Sequence, residues 1–372
     1  MERHVTFLRR ALPLTISAAL LAVTGASASG VVSSSSVVSS RTAAPAVPAG
    51  KNAVPHAATP KQWAKIVAAA KREGAVTLYT SQNPVYLAAA GKAFEKKYGI
   101  KVTVNRNIDS VLTTQVASEE AAHKLNVDVL VIASLPIVYG MQKAENKWVA
   151  DAVGPALYVK GFDRKVFGGP QKANVVGTAL LGIGWNTGLY PAGTRDYTDL
   201  LNSNLKGKIG VVAPSAPSIV DFYLWLEKNY GKSFISRLAQ QNPKIYASSL
   251  PMTQAVVSGE ILSGNFIATS ALDFKAQGAP IEFKIVSKNG SSWNAPWWGL
   301  VMKGSPHPNA AQLLMNYLVT KEGQRLSQQH LGAVLRKVPG TFYVKPRKQV
   351  LKDLTPAKVQ AYQTYWNGLF RG

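Results

Sequence analysis

A chain of 372 residues, 47% of them hydrophobic, buries a sizeable core and suits two ordinary domains, which excludes a wholly disordered or fibrous protein. The absence of cysteine excludes disulfides, thiolate catalysis and cysteine-based metal sites together. Lys and Arg number 42 against 19 Asp and Glu, a formal charge of +23, which bears on association and solubility and not on fold.

The chain opens on MERHVTFLRR, then a largely apolar run from Ala11 to Thr24, then the small-residue site Ala26-Ser27-Ala28. That order predicts a secretory signal peptide over residues 1–28, cleaved after Ala28. Thr15, Ser17, Thr24 and Ser27 leave the run short of the roughly 20 apolar residues of a spanning helix. Arg3, Arg9 and Arg10 against Glu2 take +2 of the charge, leaving +21 on the remainder. With export predicted and no cysteine to carry a lipid, the expected location is the periplasm. Residues 29–59 are rich in Ser, Ala, Val and Pro with no acidic residue, too little apolar material to order themselves, and read as a flexible leader.

Folded structure is predicted from Thr59-Pro60, an N-cap followed by proline at the first helical position, with a helix through Trp63, Ile66, Val67 and Ala70 that stops before Gly74. AVTLYT reads as a strand, Pro84 to Tyr98 as a helix stopped by Gly99, IKVTVNR as a strand, Ser110 to His123 as a helix and VDVLVIA as a buried strand. Beyond Gly177, TALLGIGWN, KIGVVAP, KIYAS, ILSGNFIA and IEFKIVS read as strands. The predicted helices among them are Pro217 to Tyr230, Ser233 to Gln241, Pro251 to Ser258 and Ala271 to Gln277. After the aromatic segment SSWNAPWWG and LVMKG come helices from Pro308 to His330 and from Pro356 to Leu369. Such alternation implies the α/β class, a parallel-type sheet covered on both faces, here in two successive units with a helical tail.

The order of EGAVTLYTSQ, FEKKYGIKVTV, VDVLVIAS, GWNTGLYP, YTDLLNSNLKGKIGVVAP, AVVSGEI and MKGSPHPNAAQLLMNYLVTKEGQRL, from Glu73 to about Gln329, resembles the ferric-iron-type branch of bacterial extracellular solute-binding proteins of ABC importers. The resemblance implies a type 2 periplasmic-binding fold, two α/β lobes on a hinge of two crossover strands with the ligand in the cleft. On that template residues 60–176 form lobe 1, residues 177–288 lobe 2, and residues 289–372 a crossover with C-terminal helices returning to lobe 1. The implied partners are a small-molecule ligand, an inner-membrane permease and its ATPase. The expected receptor is a monomer without cofactor or nucleic acid, and ligand binding rotates its lobes together.

Strand ends and helix N-termini at the carboxyl edge of a sheet converge on the crevice, where backbone amides favour anionic groups. That logic marks three loops as ligand candidates: Ser81-Gln82-Asn83, the stretch from Pro214 to Ser218 with Ser215 and Ser218, and Ser249 with its neighbour Ser248. The same residue types also serve as caps and turns. Ser110, Ser134, Asp221 and Asn265 are further candidates. Trp293 and Trp297, with Trp298 beside them, supply either core or a wall on which a planar or apolar ligand part stacks.

Ferric-ion binding in the branch that the chain resembles relies on tyrosines near the segment matching SGEILSGNFIATSALDF, where this chain has Asn265, Phe266, Ser270 and Phe274. A hard trivalent cation wants anionic oxygen ligands, so the expected ligand is an organic anion bearing carboxylate or phosphate, or a preformed chelate, with ferric iron as the alternative. Tyr79, Tyr86 and Asp109 lie near first-lobe loops, and Tyr79 is expected to pack. Five histidines, no cysteine and no GxSxG, HExxH or Walker A pattern argue against an enzyme, and Glu119-Glu120 reads as a solvated pair. The alternative of another class is a basic protein that clings to polyanions, which predicts a contiguous basic patch.

Overall fold

The computed structural model describes residues 56–142, 148–169, 172–289 and 291–372. The expected signal peptide and nearly all of the expected leader lie outside the described residues.

Local signals set the first elements. Thr59 and Gln62 form a reciprocal capping box, Pro60 sits in the first turn, and Gly74 closes α1 (Pro60–Glu73) in the left-handed conformation. Asn83, Pro84 and Gly99 do the same for α2 (Pro84–Tyr98). Between and beyond them run β1 (Ala75–Thr80), β2 (Lys101–Arg106), α3 (Asp109–Ala121), β3 (Val129–Ile132), α4 (Leu135–Gly140), the short β4 (Val149–Ala150) and α5 (Arg164–Phe167). The long strand β5 (Asn174–Asn186) leads into β6 (Ile209–Val212), α6 (Pro217–Tyr230), α7 (Ser233–Ala239), β7 (Lys244–Tyr246), α8 (Ser249–Ser258), β8 (Ser263–Ala268), α9 (Ala271–Ala276) and β9 (Ile281–Lys284). After the hairpin β10 (Ser287–Lys288) and β11 (Ser291–Ser292), β12 (Asn294–Met302) carries the chain back to α10 (Pro308–Leu318), α11 (Lys321–Ser327), β13 (Gly332–Ala333), β14 (Phe342–Tyr343) and α12 (Pro356–Phe370).

The strands join in the order β2-β1-β3-β12-β5-β8-β6-β7. At one end β1 is parallel to β2 and β3; at the other β6 is parallel to β7 and β8. The antiparallel pair β5 and β12 lies between them, in register from Asn294 opposite Leu180 to Gly299 opposite Asn174, with a bulge between Trp297 and Trp298. These two strands are the crossovers of a two-lobed α/β fold. All thirteen residues of β5 are buried, as expected of a strand covered on both faces. Each lobe has its own core, one around Leu78, Phe94, Val131 and Leu314, the other around Ile209, Phe222, Trp225 and Ile267.

Three expectations need correction. The helix predicted from Pro308 to His330 is two helices, because Thr320 caps a new one by accepting from Gly323 N at 3.1 Å. The predicted boundary between residues 176 and 177 falls inside β5. Among the C-terminal helices, α10 and α11 pack on α1 and α2 of the first lobe, but α12 packs on α6 and α7 of the second. Its fully buried Trp366 is the reason, set against Tyr223 at 5.9 Å between ring centroids. To reach that position the chain passes from lobe to lobe a third time: Gln349 bonds Ala133 O and Leu135 N in the first lobe, and Arg347 pairs with Asp221 in the second.

Candidate functional site

The carboxyl ends of β1 and β2 lie side by side, Thr80 opposite Arg106, so the chain leaving each enters the same crevice. From the other lobe the loops after β6, β7 and β8 face them. Together they enclose a cavity of about 110 Å³. One wall comes from the hinge: Ala179 and Leu181 of β5, and Trp293, Ala295 and Trp297 at or beside β12, line it at every second residue, the period of a strand. The same alternation puts Trp298 into the first-lobe core while Trp297 lines the cavity.

The expected contacts divide. Ser81, Gln82, Asn83, Ser215, Ser218, Ser249, Trp293 and Trp297 line the cavity. Four others do not, and each has a structural task instead. Ser110 lies in the first turn of α3, its carbonyl accepting from Thr114 Oγ1 at 3.1 Å. Ser134 is fully buried and bonded to Ser218: its hydroxyl accepts from Ser218 N at 3.3 Å and donates to Ser218 Oγ at 3.1 Å. Asp221 accepts from the Trp293 indole at 3.1 Å and from Arg347, and Asn265 accepts from Val212 N at 3.2 Å. Some lining residues have structural roles too, since Asn83 caps α2 and the Gln82 amide donates to Ser327 O at 2.7 Å.

The charged residues of the cavity were not among the expected contacts. Among the described residues, Arg106 is the one cationic side chain in its lining and Asp109 the one anionic. Arg106 reaches across the crevice, Nη2 donating to Ser248 Oγ at 3.2 Å, while its Nε is buried without a partner. Burial holds its pKa below the usual arginine value, with Asp109 opposing. Asp109 is itself committed, since Ser81 Oγ donates to it and Ala133 N lies 3.2–3.3 Å from its two oxygens. Burial raises its pKa, and the same hydrogen bonds oppose the shift. Ser215 Oγ, Trp297 Nε1 and Gln82 Oε1 are also buried and unpaired. Two unpaired donors and a hydroxyl able to donate, against one amide oxygen, make a wall that favours an acceptor-bearing ligand. Arg106 was legible by the rule that found Ser81, because it ends the strand parallel to β1, yet a lone arginine there also reads as surface charge.

The lobes also touch beside the cavity. The Tyr86 hydroxyl of α2 donates to Asp273 of α9, whose other oxygen lies 3.0 Å from His330 Nδ1. Tyr79 packs as expected, donating to Glu119 at 2.7 Å, and burial, then Glu119, push its pKa up to about 12. Glu119 is therefore not a merely solvated carboxylate: it also accepts from Gln115 and from Asn126 N. No group of three or more His, Asp or Glu suited to a metal ion occurs among the described residues.

Among solved structures, iron-bound HitA from Pseudomonas aeruginosa is similar with a TM-score of 0.61 and 20% identity, covering 79% of this chain and 99% of that one. AfuA from Actinobacillus pleuropneumoniae, with fructose-6-phosphate bound, gives 0.67 and 18%, covering 80% and 99%. The substrate-binding protein of an ABC transporter from Agrobacterium tumefaciens gives 0.68 and 15%, covering 80% and 94%. At these identities the likeness is one of fold. No curated protein matches by sequence. The bacterial extracellular solute-binding protein model matches residues 76–330. That is well over half of the chain, which therefore belongs to this family of transporter binding proteins.

Proposed function

We propose that the chain is a periplasmic receptor that captures a small organic anion between its lobes and presents it to an inner-membrane permease driven by a paired ATPase. The observation that carries this reading is the donor-rich interlobe cavity, in which Arg106 Nε, Ser215 Oγ and Trp297 Nε1 are buried without partners. An anion entering from water supplies the missing acceptors, and leaving such donors empty costs about 1–3 kcal/mol each. Contacts from both lobes to one ligand favour the closed arrangement over the open one, which is the differential affinity that closure requires.

Bare ferric iron is the weaker reading. Phe266 and Ser270 line the cavity where anionic oxygens are wanted, and the one lining tyrosine, Tyr86, spends its hydroxyl on Asp273. A dedicated polyanion-binding surface is disfavoured by the spread of exposed lysines, Lys65, Lys96 and Lys101 on one lobe and Lys208, Lys244 and Lys284 on the other.

A thermal-shift screen of the purified protein against organic acids, sugar phosphates, ferric salts and vitamins tests the proposal. A ligand at 100 times its Kd adds about 2.7 kcal/mol to stability, so one class of organic anion is expected to raise Tm. A rise with ferric salts alone, or salt-sensitive retention on polyanions with no rise at all, contradicts it.

A further inference from the structure

The size and charge of the cavity narrow the ligand further. Its volume of about 110 Å³ is of the same order as the roughly 150 Å³ of an engineered cavity that holds benzene, so the cleft suits a compact molecule of about that size. Apart from Arg106 and Asp109 the lining is neutral, and much of it is apolar: Leu181, Phe266, Trp293 and Leu331 present carbon to the space. A carboxylate has two oxygens to offer, which suits Arg106 Nε, Trp297 Nε1 and Ser215 Oγ. A dianionic phosphate has twice the charge for the same single arginine, beside the Asp109 carboxylate, and an uncompensated buried charge is costly. Asp109 takes no part as a ligand acceptor, because Ser81 and the Ala133 amide hold it.

We infer that the cleft selects a compact monocarboxylate with an apolar body, its carboxylate on Arg106 and its carbon skeleton against Trp293, Trp297 and Phe266. This rests on the receptor reading above and specifies the chemical class of its solute. Lobe closure around such a ligand favours it over bulkier sugar phosphates, and over neutral isosteres because they leave the arginine without an anion.

The test is calorimetric titration of the full-length protein with isovalerate, 2-oxoisovalerate and benzoate. Isovaleramide, leucine, phenyl phosphate, fructose 6-phosphate and ferric citrate are run in parallel. At least one of the monocarboxylates is expected to bind one-to-one, at least tenfold tighter than its amide and than any phosphate. Arg106→Gln is expected to weaken it by at least tenfold, and Arg106→Lys, which keeps the charge, to weaken it less. Leucine binding tighter than isovalerate, and losing that advantage in Asp109→Asn, shows that the aspartate receives an ammonium group and overturns the inference. Tighter binding of a phosphate or of ferric citrate overturns it too, while leaving a receptor in place. Absence of binding by all three monocarboxylates overturns the inference, while the receptor reading stands or falls on the wider thermal-shift screen.

Discussion

Asp128 shows at the scale of one residue what the recurring sequence segments do. It is fully buried and accepts from Thr77 N at 2.6 Å, Ser305 Oγ at 2.5 Å and His307 N at 2.9 Å, with His307 Nδ1 at 3.0 Å. Glu73 likewise accepts from Asn309 and Ala310 N at the start of α10, whose own N-cap position contributes no side-chain bond. The segments EGAVTLYT, VDVLVIAS and KGSPHPNAA, which carried the resemblance, are thus bound to one another. Their polar residues seat α10 and β12 on the first lobe. Asp128→Ala is expected to lower stability by about 3 kcal/mol, because it strands several buried donors at once. Urea unfolding measures this, and a loss under about 1 kcal/mol contradicts it. The difference between structural and cavity-lining polar residues explains what the sequence reading of the site found and missed. Ser81, Ser215 and Ser249 follow strand ends, a position that topology alone picks out. Asp221 and Asn265 look like contacts for their polarity, but only the packing reveals that Trp293, Arg347 and Val212 already occupy them.

Helix α6 carries the argument at the scale of the element. Its N-cap position is Ala216, which has no side-chain oxygen to offer, and Pro217 supplies no amide hydrogen. The first available amide, Ser218 N, finds its acceptor in Ser134 of the opposite lobe, so the cap of a second-lobe helix is completed only when the lobes meet. Ser134→Ala is therefore expected to act on closure. With a cap worth about 1 kcal/mol, ligand affinity falls roughly fivefold, read by calorimetry. Unchanged affinity together with a lower urea midpoint assigns Ser134 to stability alone and contradicts this. Element boundaries were legible where local chemistry sets them, as at Thr59, Gly74 and Gly99. They were not legible where tertiary contacts do: α12 has a weakly defined apolar face, and its place on the second lobe follows from Trp366 meeting Tyr223 of α6. Gly182 of β5 is a second element-level constraint. A Cβ there meets the Lys284 carbonyl oxygen at 2.0 Å, a backbone atom that has no rotamer to change. Gly182→Ala is expected to destabilise the protein by about 1–3 kcal/mol through the β5–β9 pairing, measurable by thermal unfolding; an unchanged Tm contradicts it.

For the whole molecule, the surplus of Lys and Arg goes with a carboxyl population that tolerates acid. Asp109, Glu120, Asp221 and Glu227 all have raised pKa values, chiefly through burial. Such groups bind their protons more readily folded than unfolded, so lowering the pH from neutrality toward the ordinary carboxyl range adds stability. Glu119, Glu260 and Glu282 are shifted the other way. For Glu119 burial pulls upward, but bonds from the Asn126 amide and Tyr79 outweigh it; for the other two, Tyr246 and Lys275 respectively lead. Their stabilisation is present above the ordinary glutamate value of 4.5 and is lost as pH falls through their folded values. The urea midpoint is therefore expected to hold or rise from pH 7 to about pH 4.5 and to fall only below that. Unfolding near pH 5 contradicts it. The two-lobed architecture was legible because two runs of strand–helix alternation flank one long apolar strand. The cavity was not, since its walls come from residues as far apart as Ser81 and Trp297.

Native mass spectrometry of the purified protein, after incubation with a mixed panel of organic acids, sugar phosphates and ferric citrate, tests the central claim most directly. The account predicts one adduct per chain, a single class of small organic anion, lost in Arg106→Gln. A chain that stays bare against every class, while binding polyanions in a salt-sensitive manner, contradicts it.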